Sequence, residues 1–112
     1  MLSYLKRLWR KLIYWSKPDY TLEEVIDAPD AVRADMVYLI GSHRTKWSAV
    51  FACPCGCGDA VWLNLLAAED RPSWRVTKHR LGSFSIDPSI WRQVGCRSHF
   101  YVHRGRVLWT AP

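Results

Sequence analysis

Hydrophobic and polar positions divide this chain into two textures. Over residues 1–17, Leu5, Leu8, Trp9, Leu12 and Trp15 recur at steps of three and four, with Lys6, Arg7, Arg10 and Lys11 mostly between them. That is the period of an amphipathic helix. Pro18 disfavours helical geometry at Lys17, so the helix is expected to stop there. TLEEVIDA then offers one or two further helical turns, with Thr21 as N-cap and Glu24 at the capping-box spacing, ended by Pro29. From Met36 the pattern changes to short β-like runs: MVYLI, WSAVFA, AVWLNLL, WRVTK, SFSI, HFYVH and RVLWT. Turn residues separate them, notably Gly41-Ser42, Asp87-Pro88 and Arg104-Gly105. The last two runs read as a hairpin with Phe100 and Val102 on one face and Tyr101 and His103 on the other. The pattern predicts a mainly β chain: a helix over 1–17, then one compact antiparallel β domain over 18–112.

Size and charge narrow the classes. A chain of 112 residues makes one modest core that gains from a metal or disulfide staple. With 49% apolar and 23% charged residues it is not a disordered composition. No apolar run approaches the roughly 20 residues of a membrane-spanning helix. The net charge of +6 is uneven: +5 over residues 1–17, −5 over 18–35 and +6 over 36–112. The basic opening can be answered by the acidic stretch behind it, so no nucleic-acid partner is expected. The first helix is expected to pack on its own domain, with a partner protein or an anionic membrane surface as alternatives. Charges interrupt it throughout, unlike a secretory signal, which points to the reducing cytoplasm.

All four cysteines fall into one pattern. Cys53, Cys55 and Cys57 lie in CPCGCG, and Cys96 follows in GCRSHF. Cysteines two apart rarely reach disulfide geometry, and only one of the three can pair with Cys96. A single structural zinc uses all four, as thiolates at about 2.3 Å in a closed tetrahedron. Buried free cysteines are the alternative, as is a histidine (His43, His79, His99 or His103) replacing one thiolate.

A ligand at Cys96 would fix the backbone of Ser98 and His99, residue types used in acyl transfer. Adjacent side chains of a strand face opposite ways, so the pair shares a site only across a bend or bulge. Ser89, after Pro88, is therefore the alternative partner of His99, with Ser85 behind it. In the structural alternative, Ser98 caps backbone near the metal and His99 meets a buried carbonyl.

FACPCGCG, WLNLL, SFSIDPSIW and GCRSHFYVHRGRVLW, in this order, resemble the BubE-type peptidases of bacterial ubiquitin-like conjugation operons, from about Val37 to Trp109. The resemblance implies a serine peptidase that trims a ubiquitin-like protein at its C-terminal tail or releases it from targets, by a Glu–Ser–His triad. Cys53, Cys55, Cys57 and Cys96 match the family's cysteines, Pro88, Ser89 and Ile90 its PSI element, and Ser98 and His99 its SH pair. The family's glutamate is expected near Ser42, where this chain reads LIGSHRTKW. An acid would then come from Asp35, Asp59, Glu69 or Asp70, or the site is a dyad. The alternative function is a non-catalytic zinc module that binds a partner protein. Trp47, Trp62 and Trp74 are the side chains expected to grip that partner or its tail.

Overall fold

Alternation decides most of the strands. The computed structural model describes residues 18–110; the amphipathic helix expected over 1–17 lies outside the described residues. Among these residues eight strands form two four-stranded sheets. The first holds β1 (Thr21–Val25), β2 (Met36–Gly41), β3 (Lys46–Ala52) and β4 (Ala60–Asn64) in that order. The second holds β5 (Arg75–Lys78), β6 (Phe84–Trp91), β7 (His99–His103) and β8 (Arg106–Trp109), again in order. A single-turn 3-10 segment, Arg80–Gly82, joins β5 to β6.

The two sheets face one another across a shared core. Val37 and Leu39 of β2, Ala49 and Phe51 of β3, and Val61 and Leu63 of β4 meet Phe84, Ile86 and Ile90 of β6 and Phe100 and Val102 of β7. Phe51 is the centre of this contact, edge-on to Tyr20 at 5.4 Å and to Phe100 at 6.2 Å. The expected hairpin forms as read: Phe100 and Val102 are buried while Tyr101 and His103 are exposed. Its two-residue turn puts Arg104 at φ 50° and Gly105 at φ 76°, as a type I′ turn requires. Gly105 also lies under the first described residues, where a Cβ would sit 2.8 Å from the Tyr20 carbonyl oxygen.

Two expectations are corrected. TLEEV is a strand, not a helical turn. It pairs with β2 in parallel, from Thr21 opposite Met36 to Val25 opposite Ile40, so the sheet is not wholly antiparallel. Tertiary contacts override the capping box: Leu22 packs on the main core, and Glu24 reaches across to Lys78 of the other sheet at 2.6 Å. The parallel return needs a crossover, and residues 26–35 supply it, with Val32 packing on Tyr38, Ile40 and Val50 on the first sheet's outer face. The second correction concerns Asp87-Pro88, read as a turn. The strand β6 continues through it, with a cis peptide bond and a shift of register.

The facing of β7 predicts a sharp contrast between neighbours. Phe100→Ala is expected to lower the unfolding free energy by about 3–5 kcal/mol. Tyr101→Ala should cost under about 1 kcal/mol. Urea unfolding midpoints of the two variants measure this, and equal losses would contradict the face assignment.

Candidate active site and metal centre

The cysteine cluster is built by two loops from opposite sheets. Cys53 directly follows β3 and is buried, and the chain then doubles back, with the Cys53 amide donating to the Asp59 carbonyl at 2.9 Å. Gly56 and Gly58, both at φ 86°, supply the left-handed backbone that lets CxCxC curl around one point. Cys96 comes from the loop between β6 and β7, which closes when the Arg92 amide donates to the Ser98 carbonyl at 2.9 Å. The four sulfurs lie within 4.8 Å of one another, with Cys53 at 3.4 Å from Cys55 and 3.6 Å from Cys96. A tetrahedron of sulfurs at about 2.3 Å from one ion has edges of about 3.8 Å, so the set fits a single metal ion. No disulfide forms among them. None of His43, His79, His99 and His103 joins this group.

Arg92 completes the cluster and was not anticipated. Its guanidinium donates to the sulfurs of Cys57 and Cys96, both at 3.4 Å, and to the Asp59 carboxylate at 3.3 Å. Four thiolates around a divalent ion carry excess negative charge, and an arginine at that distance offsets it. The Ser98 hydroxyl donates to Cys96 Sγ at 3.2 Å, and this contact with the Ser98 amide brings the Cys96 thiol down to about 6. The thiolate, the form that would hold a metal, is thus favoured at Cys96, whereas the Cys57 thiol is pushed up. Four sulfurs close the coordination sphere, so such an ion would act as a staple.

Ser98 therefore faces the cysteines, and His99, one residue on, faces away from them. The His99 ring meets a different serine: Nε2 lies 2.9 Å from Ser89 Oγ. The irregularity in β6 arranges this. Ile86 pairs with Val102 and Ile90 with Phe100, so residues 87–89 stand opposite Tyr101 alone and Ser89 is pushed out of the ladder. The Trp74 indole N–H donates to the Ser89 carbonyl at 3.3 Å and fixes the bulge. Trp91 and Tyr101 flank the imidazole, Trp91 stacked at 5.2 Å and 17° and Tyr101 at 6.4 Å and 28°. Neither aromatic was expected beside His99, although Tyr101 was read on the outward face of the hairpin. Trp91 becomes a neighbour of His99 only through the shifted β6–β7 register, where the two are directly opposite.

The remaining expected residues lie elsewhere. Ser42 spends its hydrogen bonds in the β2–β3 turn: its hydroxyl accepts from the Thr45 amide at 3.0 Å, and its carbonyl accepts from Lys46 Nζ at 2.7 Å. Asp59 turns to Arg92, Asp35 to Arg33 at 3.4 Å, and Asp70 to Arg71 at 3.8 Å, while Glu69 is exposed beyond β4. Ser85 has its own histidine, His79 Nε2 at 2.7 Å. Ser85 is buried, however, and accepts the Arg104 amide at 3.0 Å, so this pair secures the β7–β8 turn. Trp47 and Trp62 are exposed on the first sheet, whereas Trp74 is half-buried beneath the Ser89 carbonyl.

Comparison with known proteins bears on this arrangement. No curated protein and no solved structure gives a significant match. The model of the family described as bacterial ubiquitination-like system serine protease (BubE) matches residues 24–110. That span holds strands β2 to β8, all four cysteines, Ser89, Ser98 and His99. It covers far more than half of the 112 residues, and the chain belongs to the BubE family of bacterial ubiquitination-like system serine proteases.

Proposed function

We propose that this protein is a serine peptidase acting at the C-terminal tail of a bacterial ubiquitin-like protein, with Ser89 as nucleophile and His99 as general base. The observation that carries the reading is the 2.9 Å contact between His99 Nε2 and Ser89 Oγ on a bulged strand beside an exposed aromatic face. As Oγ attacks the scissile carbonyl carbon, Nε2 takes its proton. The imidazolium then returns that proton to the leaving amine, and water, deprotonated by the same ring, hydrolyses the acyl-serine ester. Trp91 and Tyr101 both lie near-parallel to the imidazole, and an aromatic face stabilises an adjacent cation. This supports a His–Ser pair working in a chain with Ser42 where the family's glutamate is expected. Ser98 is then a residue of the metal shell, not the nucleophile.

Zinc is the ion proposed for Cys53, Cys55, Cys57 and Cys96, since an all-thiolate tetrahedral set suits it. It would staple the β3–β4 loop to the β6–β7 loop and take no part in the proton transfers. The reading puts the protein in the cytoplasm, where thiolates stay reduced. Ser42 in place of a carboxylate favours a second reading, a non-catalytic module that binds the ubiquitin-like protein.

A fluorophosphonate probe separates the two. Wild-type protein should label, Ser89→Ala should lose labelling by about a thousandfold or more, and Ser98→Ala should keep it. Absence of any labelling would support the binding module. Trp91→Ala should slow labelling by about tenfold while Trp91→Phe restores most of the rate, because the ring face and not bulk is what His99 uses. Metal analysis should find one zinc per chain. Cys96→Ser should lose it and drop the thermal midpoint by about 10 °C or more.

A further inference from the structure

Beside the Ser89–His99 pair the sandwich is incompletely closed, and the opening carries charge. A groove of about 850 Å³ lies between β2 of the first sheet and β5 and β6 of the second, lined by the apolar Leu39, Leu65 and Val76 and also by Trp74 and Pro88. Those last two residues tie it to Ser89. Pro88 precedes Ser89 in the chain, and the Trp74 indole N–H holds the Ser89 carbonyl at 3.3 Å. The groove thus reaches the residue before Ser89, although neither Ser89 nor His99 lines it.

Its rim carries four cations, Arg44, Lys46, Arg75 and Lys78, against two carboxylates, Glu24 and Asp87. Glu24 already engages both lysines, with Lys78 at 2.6 Å and Lys46 at 4.0 Å, and the Lys78 contact holds its carboxyl below the usual range. A carboxylate is thus an accepted guest among these cations. Among the described residues neither Arg44 nor Arg75 is in an ion pair, and both are exposed. Asp87 faces Arg75 across the β5–β6 ladder but makes no ion pair with it.

We propose that this groove binds an extended acidic peptide segment, the stretch of substrate chain next to the bond cut at Ser89, with Arg44 and Arg75 receiving its carboxylates. The proposal rests on the peptidase reading and adds a substrate class to it. An extended peptide suits an apolar floor with charged walls, alternate side chains turning to each. Glu24 and Asp87 inside the same groove disfavour a polynucleotide, whose every residue brings a phosphate past them.

The test is fluorescence anisotropy on the full chain carrying Ser89→Ala, so that binding is read without cleavage. The probe is a labelled octapeptide with two glutamates, compared with its glutamine counterpart. The glutamate peptide should bind at least tenfold tighter, and the difference should shrink as salt rises. Arg44→Glu with Arg75→Glu should erase the preference, and Arg44→Gln with Arg75→Gln should reduce it. Both side chains are exposed, so an unchanged thermal midpoint is expected in each variant. Equal affinity for the two peptides, an unaltered preference after charge reversal, or tighter binding of single-stranded DNA would overturn the proposal. A charge-selective groove in a protein that never labels with fluorophosphonate would uphold the groove and sink the peptidase reading. Labelling without charge selectivity would do the opposite.

Discussion

Four sulfurs drawn from two loops are the constraint on which the working end of this molecule depends. One loop leaves the first sheet and the other leaves the second, so an ion held by all four sulfurs would fix the sheets relative to one another at that end. A chain of 112 residues buries a limited core, and a staple of this kind supplements hydrophobic contact where loops would otherwise be held weakly. Arg92 belongs to the same device. It donates to both sets of sulfurs and to Asp59, linking the loops electrostatically as well as through the thiols.

Three residues of backbone connect the cysteine cluster to the Ser89–His99 contact. Cys96 sets Ser98, Ser98 accepts the Arg92 amide on its carbonyl, and β7 starts at His99 with its register already fixed. From that point strand geometry takes over. Alternation turns Ser98 toward the sulfurs and His99 toward the outer face, where β6 delivers Ser89. The bulge at 87–89 is as necessary as the cluster, because a regular ladder would have kept Ser89 in a paired position. Aromatic stacking then limits how the imidazole can turn.

The His79–Ser85 pair shows why contact distance alone does not single out Ser89 as the proposed nucleophile. At 2.7 Å it is the shorter of the two histidine–serine contacts. Its serine, however, is buried and already accepts the Arg104 amide, so it lacks the access a nucleophile needs. Ser89 is half-exposed and lies beside His99 on the outer face. Accessibility and commitment, set by the strand irregularity, distinguish two pairs built from the same residue types.

What the sequence determined by itself was local and compositional. Alternating hydrophobic runs gave seven of the eight strands, the inward face of β7 followed from period two, and CPCGCG with a distant Cys96 marked one cluster. The family was legible in the same motifs. The remainder depended on pairing between distant segments. TLEEV became a strand because β2 offered a parallel partner and Lys78 a counter-ion, neither visible in a local capping box. Ser89 displaced Ser98 beside His99 through a register shift that no single strand encodes. Arg92, Trp91 and Tyr101 joined the site for the same reason: a side chain's neighbours across a sheet are set by register, which emerges only when both strands and the core beneath them are in place.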